Sequence, residues 1–249
     1  MKSAVVIPVY NEAATIREVV SRCLPLVDRV IVVDDGSADA TLEQLEGLDI
    51  EVLINPQNQG KAAALQKGFA KALQLDAKSI ITLDGDGQHD PGEIPVLLHA
   101  AESEADTIII AARLKQREQA PRLRLFANQF ADFWVSWAAG YPVIDSQSGF
   151  RLYPGELLRT VHLDTPREKS FVFESEILIE GASRNFYSRS VAVNSIYRAG
   201  GRESHYQPWT DTWRIVRMIA GRLLRRGLYL SGLLRSLGLM ADPRDLQEK

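Results

Sequence analysis

Residues 84–90 read Asp-Gly-Asp-Gly-Gln-His-Asp, and Pro91 follows. Two carboxylates one residue apart, flanked by glycine, suit a hard divalent cation. Mg²⁺ or Mn²⁺ takes oxygen ligands and often shares them with substrate phosphates. Glycine lets the backbone approach an ion or turn sharply, and Pro91 fits the first turn of a following helix. The same pattern also reads as an acidic strand-end turn that holds no ion, so its neighbours decide. Asp34-Asp35-Gly36-Ser37 is a second acidic cluster. Lys61 follows Gly60 at the start of a helical pattern, where backbone N–H groups and a cation suit an anionic ligand; it is equally a solvated first-turn lysine. Arg113 ends an apolar run, and Arg122 and Arg124 follow in a basic segment. Guanidinium binds phosphate through charge-assisted, often bidentate bonds; a solvated basic loop is the other reading. Glu174 and Glu176 open an apolar helix, where they are either candidate general bases or carboxylates stabilised by the helix dipole. Asp145 is a further acidic candidate.

These residues need elements to hold them. Apolar, β-branched runs predict strands at 3–10, 29–33, 51–54, 79–83 and 107–112. Helical spacing falls between them, at 13–24, 38–48, 61–75 and 92–103. The alternation implies an α/β fold with a mostly parallel, doubly wound sheet. Ligands bind beyond the carboxyl ends of such strands. Tyr10–Glu12, Asp34–Ser37, residues 55–61, Asp84–His89 and Arg113 all fall at that one edge. The second half differs. Residues 125–139 form a helix heavy in aromatics, expected in the core, with a lipid-facing surface as the lesser reading. Residues 145–151 (DSQSGFR) turn into a short strand at 150–153. A helix follows at 173–182, then an edge strand at 190–197 and a charged, glycine-bearing loop at 198–206.

The chain has 249 residues, 45% hydrophobic and 24% charged, with a net charge of −3. That is room for one large α/β domain plus an appendage, and the charge argues against general nucleic-acid binding. The lone Cys23 excludes an internal disulfide framework and fits a reducing compartment as a buried structural thiol. No secretory leader is expected, because the first apolar run is short and broken by Pro8. No uncharged run approaches the ~18–20 residues of a membrane span. Residues 213–240 carry six arginines and no acid. Val216, Ile219, Leu223, Leu224, Leu230, Leu234 and Leu237 gather on one helical side, with a break expected near Gly227 and Gly232. A basic amphipathic segment of this kind reads as lying on an anionic membrane surface, and docking onto its own domain is the alternative. The boundaries expected are 1–206, 207–240 and a flexible 241–249.

Together, Val9-Tyr10-Asn11-Glu12, Asp34-Asp35-Gly36-Ser37, Asn58-Gln59-Gly60-Lys61, Asp84-Gly85-Asp86-Gly87-Gln88-His89 and Asp145-Ser146-Gln147-Ser148-Gly149-Phe150-Arg151 resemble the family 2 glycosyltransferases. The nearest likeness is the dolichyl-phosphate mannose synthase-like branch. The resemblance covers about residues 1–206. It implies a GT-A fold, a UDP- or GDP-linked sugar donor, a divalent cation and inversion at the anomeric carbon. It places Pro8, Tyr10, Glu12, Asp34, Asp35, Lys61, Asp84 and Arg113 at the donor, and Asp86 with Gln88 at the metal. Arg122, Arg124, Ser148, Arg198 and Arg202 fall on the acceptor side. His89 is expected beside the metal ligands, and Arg151 as a brace. Residues 198–205 depart from the family pattern, with altered spacing and His205 in place of a lysine. The acceptor implied is a polyprenyl phosphate, handled at the cytoplasmic face of the membrane by a peripheral enzyme. A glycolipid, sugar or protein hydroxyl is the alternative, and a non-catalytic nucleotide-sugar-binding scaffold is the rival from another class.

Overall fold

The computed structural model describes residues 2–112, 122–161, 172–194 and 208–246. Seven strands form one sheet: β1 (Ser3–Val9), β2 (Arg29–Asp34), β3 (Glu51–Ile54), β4 (Ser79–Thr82), β5 (Ile108–Ala112), β6 (Arg151–Pro154) and β7 (Ser188–Ala192). Their order is β3-β2-β1-β4-β6-β5-β7. All neighbours run parallel except β6, which is antiparallel to both β4 and β5.

The helices are α1 (Ile16–Cys23), α2 (Lys61–Gln74), α3 (Ile94–Ser103), α4 (Arg122–Ala139), α5 (Gly155–Thr160), α6 (Phe173–Ala182), α7 (Pro208–Arg225) and α8 (Leu230–Ser236). The sheet has a core on each face, as a doubly wound sheet requires. Alternation along β1 shows why: Ala4 and Val6 face α2, α4, α6 and α7, while Val5, Ile7 and Val9 face α1 and α3. The expected α/β architecture with a mostly parallel sheet is present.

Four local expectations change. Residues 38–48 are turns with one 3-10 turn, Glu43–Leu45, in place of a helix. Side chains claim the backbone there: Ala38 N–H donates to Asn11 Oδ1 and Thr41 N–H to Asp39 Oδ1, which competes with helical bonding. The edge strand begins at Ser188 and not at 190. The aromatics of α4 divide: Trp134 and Trp137 pack on the core, but Phe126, Phe130 and Phe133 are exposed. Residues 242–246, expected as part of a flexible end, instead fold into a pinned turn. Arg244 pairs with Asp242 at 2.6 Å, donates to the Ser188 carbonyl and lies over the Tyr141 ring.

The break in the tail falls where expected. Leu228 and Tyr229 take positive φ values of 64° and 43° between α7 and α8. The apolar face of α7 does not all face outward, however. Val216, Ile219 and Leu223 are buried, and Ile219 and Leu223 join the core cluster with Val135 of α4 and Ile177 of α6. The membrane-facing role expected of those three residues is therefore corrected: their partner is the domain itself. No described helix is long and apolar enough to cross a membrane.

Candidate active site

The carboxyl ends of β1 and β2 are stitched together. Asn11 adopts a left-handed φ of 58°. Its N–H donates to Ser37 Oγ at 2.9 Å, and Glu12 N–H donates to Thr41 Oγ1 at 2.9 Å. Asp34 is buried and accepts from Ser37 N–H at 3.2 Å. Asp35, also buried, engages both carboxylate oxygens. Oδ1 accepts from Asn55 Nδ2 at 2.8 Å and Gln59 N–H at 2.9 Å, and Oδ2 accepts from Gly60 N–H at 2.7 Å. Asp35 thus fixes the loop that launches α2. Tyr10 is exposed and Pro8 and Glu12 are half-buried beside it.

The end of β4 supplies the central motif. Asp86 Oδ1 accepts from Gln88 N–H at 2.9 Å. Burial, and then the neighbouring charge of Asp84, push the Asp86 carboxyl above its usual range. Both effects oppose ionised Asp86, and a cation placed there would reverse them. The donor set therefore fits a hard divalent ion. No group of three or more His, Cys, Asp or Glu side chains able to hold a metal occurs among the described residues, so other oxygens must complete any shell. His89 is nearly buried. Its Nδ1 accepts from Asp84 N–H at 3.3 Å and its ring lies 5.5 Å from that of Phe150. That bond places the proton of neutral His89 on Nε2.

Lys61 reaches across from α2. Its Nζ is 2.7 Å from Asp84 Oδ1 and 3.1 Å from Glu174 Oε1. Burial alone would lower its ammonium, but the two carboxylates overcome that and hold it above the ordinary lysine value. Of the two glutamates, Glu174 therefore joins the motif. Glu176 instead pairs with Arg222 of α7 at 3.5 Å, where Arg222 also pairs with Glu180.

The turn at 145–151 is locked beside this cluster. Asp132 of α4 accepts from Asp145 N–H at 3.1 Å and Ser146 N–H at 2.8 Å. Burial raises the Asp132 carboxyl, hydrogen bonds from Ser146 partly offset this, and the Asp145 charge adds to it. Ser148 Oγ donates to the Ala111 carbonyl of β5 at 2.8 Å, and Thr82 Oγ1 of β4 to the Gly149 carbonyl at 2.7 Å. Arg151 is completely buried. Its Nε donates to the Ser148 carbonyl, Nη2 to that of Ser146 and Nη1 to that of Glu174, at 2.7, 2.6 and 2.7 Å. Its role is the expected brace.

Arg113, Arg198 and Arg202 lie outside the described residues. Arg122 and Arg124 open α4, but their side chains also lie outside. No motif marks Asp132, although it is the only acid in its helix, which is the signal it carries. Asn55, which links Asp35 to Lys67, carries none beyond its place after β3.

Residues 4–147 match the sequence model of Glycosyl transferase family 2. The chain is 28% identical over 213 residues to UDP-N-acetylglucosamine–dolichyl-phosphate N-acetylglucosaminyltransferase of Methanococcus voltae, covering 77% of this chain and 84% of that protein. It is 28% identical over 212 residues to polyprenol monophosphomannose synthase of Mycolicibacterium smegmatis, covering 80% and 79%. Among solved structures, glucosyl-3-phosphoglycerate synthase from Mycobacterium tuberculosis, crystallised with Mn²⁺, UDP and glucosyl-3-phosphoglycerate, superposes with a TM-score of 0.64. That match has 21% identity and covers 90% of this chain and 79% of that one, which establishes the GT-A fold. The polar edge of the sheet, the Asp84–Asp86 motif and the locked turn thus have one explanation: the chain belongs to glycosyl transferase family 2, in its dolichyl-phosphate mannose synthase-like branch.

Proposed function

We propose that this glycosyltransferase is metal-dependent and inverting, and that it moves one sugar from a nucleotide-diphosphate donor to a polyprenyl phosphate at a membrane surface. The observation that carries the reading is the meeting of two motifs at one sheet edge. The Asp84–Asp86 motif stands at the end of β4, and Thr82 and Lys61 join it to the turn at 145–151. Relatives whose names specify dolichyl-phosphate or polyprenol acceptors support the acceptor class.

Asp86, with Gln88, would hold Mg²⁺ or Mn²⁺, and Asp84 would orient the donor. The ion, when bound, neutralises the diphosphate. Asp34 and the 10–12 segment would wall the nucleotide, and Asp35 acts by fixing the 55–60 backbone. Arg113, Arg122 and Arg124 are proposed to meet phosphate groups, and Ser148, Arg198 and Arg202 the acceptor. An acceptor phosphate oxygen forms a bond to the anomeric carbon from the face opposite the leaving diphosphate, while the bond from that carbon to the diphosphate oxygen breaks. An ionised phosphate has no proton to lose, so no general base is required.

The membrane contact is proposed on the exposed apolar surface of α4 and α8. Phe126, Phe130 and Phe133 point outward on α4, and Leu230 and Leu234 on α8 with Leu237 just after it. Exposed Arg217, Arg225 and Arg226 stand near the second set in sequence, which favours anionic lipid.

The test is transfer from a panel of UDP- and GDP-sugars with Mn²⁺, with and without a polyprenyl phosphate. Turnover that requires the lipid phosphate is the expected result. Transfer only to hydroxyl acceptors overturns the acceptor class, and no donor binding overturns the enzyme site.

A further inference from the structure

We propose that Lys61 is a positioning residue that occupies Glu174 and clamps the start of α6 to Asp84, so that Glu174 braces the site and never serves as its base. This rests on the reading that the acceptor is an ionised phosphate.

Three elements meet at one ammonium. Lys61 opens α2, Asp84 follows β4 and Glu174 opens α6. Two of the three ammonium donors are directed at the two carboxylates, at 2.7 and 3.1 Å. Glu174 is held at both ends. Its side chain is only 13% exposed, and its main-chain carbonyl accepts from buried Arg151. For Glu174 to take a proton from a hydroxyl, its oxygen must first leave the Lys61 ammonium in a half-buried place. Separating the pair leaves the mostly buried Glu174 carboxylate without its cation, while Lys61 keeps Asp84, and that is unfavourable.

The turn at 145–151 closes around the pair. A Cβ built on Gly149 would stand 2.8 Å from Lys61 Nζ and 3.0 Å from Asp84 Oδ2. The Gly149 backbone therefore lies close to the ammonium, and a side chain there would require Lys61 or Asp84 to shift. Lys61, half-buried, thus touches protein groups from the donor motif, the turn and α6. It is the point where the acceptor side of the site is registered against the donor side. Its charge also separates Asp84 from Glu174, whose like charges would otherwise face each other where two anionic substrates must meet.

The experiment compares Lys61→Met, Lys61→Arg, Glu174→Gln and the Lys61→Met/Glu174→Gln double variant in the full chain. Thermal midpoints are read first, since they need no acceptor. Lys61→Met leaves Glu174 uncompensated, and the second substitution is expected to restore at least about half of the lost midpoint, the sign of a coupled pair. Steady-state kinetics follow, with the best donor of the panel and a polyprenyl phosphate. Lys61→Met is expected to lower kcat by about thirtyfold or more with donor KM within about threefold, and Lys61→Arg to recover most of that loss. Glu174→Gln is expected to lose no more than about tenfold, because an amide oxygen still accepts from Lys61.

Additive midpoints in the cycle overturn the brace. A raised donor KM at unchanged kcat in Lys61→Met overturns it too, and makes Lys61 a donor-phosphate contact. Loss of about a thousandfold or more in a normally melting Glu174→Gln protein overturns it by making Glu174 the base. Wild-type protein that ignores lipid phosphate sinks the acceptor reading instead, and the melting cycle then decides the brace alone.

Discussion

At Asp86, one carboxylate meets both burial and the field of Asp84. On the proposed metal role, Asp86→Ala lowers kcat by at least about a hundredfold while the melting midpoint stays near wild type, and added Mn²⁺ restores nothing. A folded variant with full turnover rejects that role. Cys23 carries a different expectation. Its thiol is buried in the α1 core, and burial, opposed slightly by Arg22, pushes it from 9.0 up to about 12. The folded chain therefore keeps a proton that the unfolded chain releases above pH 9. The associated stability is complete below pH 9 and is lost as pH rises from 9 toward 12, at up to ~1.4 kcal/mol per pH unit. Urea midpoints at pH 8, 9 and 10 should fall more steeply for wild type than for Cys23→Ala. Equal slopes would show that the thiol does not control that window. Residue type and spacing made Asp84, Asp86 and the Asp34–Ser37 cluster legible before any coordinates. They did not distinguish Glu174 from Glu176. Those two differ by two positions on one helix, and only the arrival of Lys61 at one and Arg222 at the other separates them.

At the level of elements, strand periodicity was the reliable guide, because a strand buried on both faces is apolar throughout. Helical spacing at 38–48 misled for a local reason. Asn11, Asp39 and Thr41 draw that backbone into bonds with the end of β1, and apolar spacing does not register such bonds. The 145–151 turn was legible as a motif, but its lock was not. Asp132 and Thr82 act on it from α4 and β4, 13 and 67 residues away, at sequence distances no local pattern spans, and Arg151 at its own end ties it to the distant Glu174 carbonyl. The packing of α2 on the sheet yields a prediction of its own. Gly68 sits where an added Cβ would come within 2.3 Å of Val6 Cγ1 and 3.1 Å of Val33 Cγ2. Both valines are buried in β1 and β2 and have no room to move aside. Gly68→Ala should cost about 1–3 kcal/mol by overpacking, against the ~1 kcal/mol that alanine contributes to an open helix. Chemical denaturation measures the net sign. A stabilised variant would mean that α2 can lift off the sheet.

Across the whole molecule, the amphipathic tail shows what periodicity leaves open: it identifies an apolar face without naming its occupant. Ile219 and Leu223 fill the core, while Leu224 and Leu230 remain 70% and 62% exposed. Deleting the tail would therefore remove core residues, so membrane binding needs surface substitutions. Leu230→Glu with Leu234→Glu should abolish co-sedimentation with vesicles rich in anionic phospholipid and leave the melting midpoint within a few degrees. Retained sedimentation would clear this surface of the role. The sheet order has a consequence for how the chain is made. β5 does not pair with β4; β6 stands between them and runs against both. A ribosome that has released β1 to β5 has released a four-stranded sheet, β3-β2-β1-β4, and a fifth strand with no edge to join. β4 shows a bare edge, and β5 has neither neighbour until residues 151–154 and 188–192 emerge. The family match ends at residue 147, just before that closing strand. A fragment cut there would keep both carboxylates of the Asp84–Asp86 motif and still expose the adhesive edges that lead nascent chains to clump.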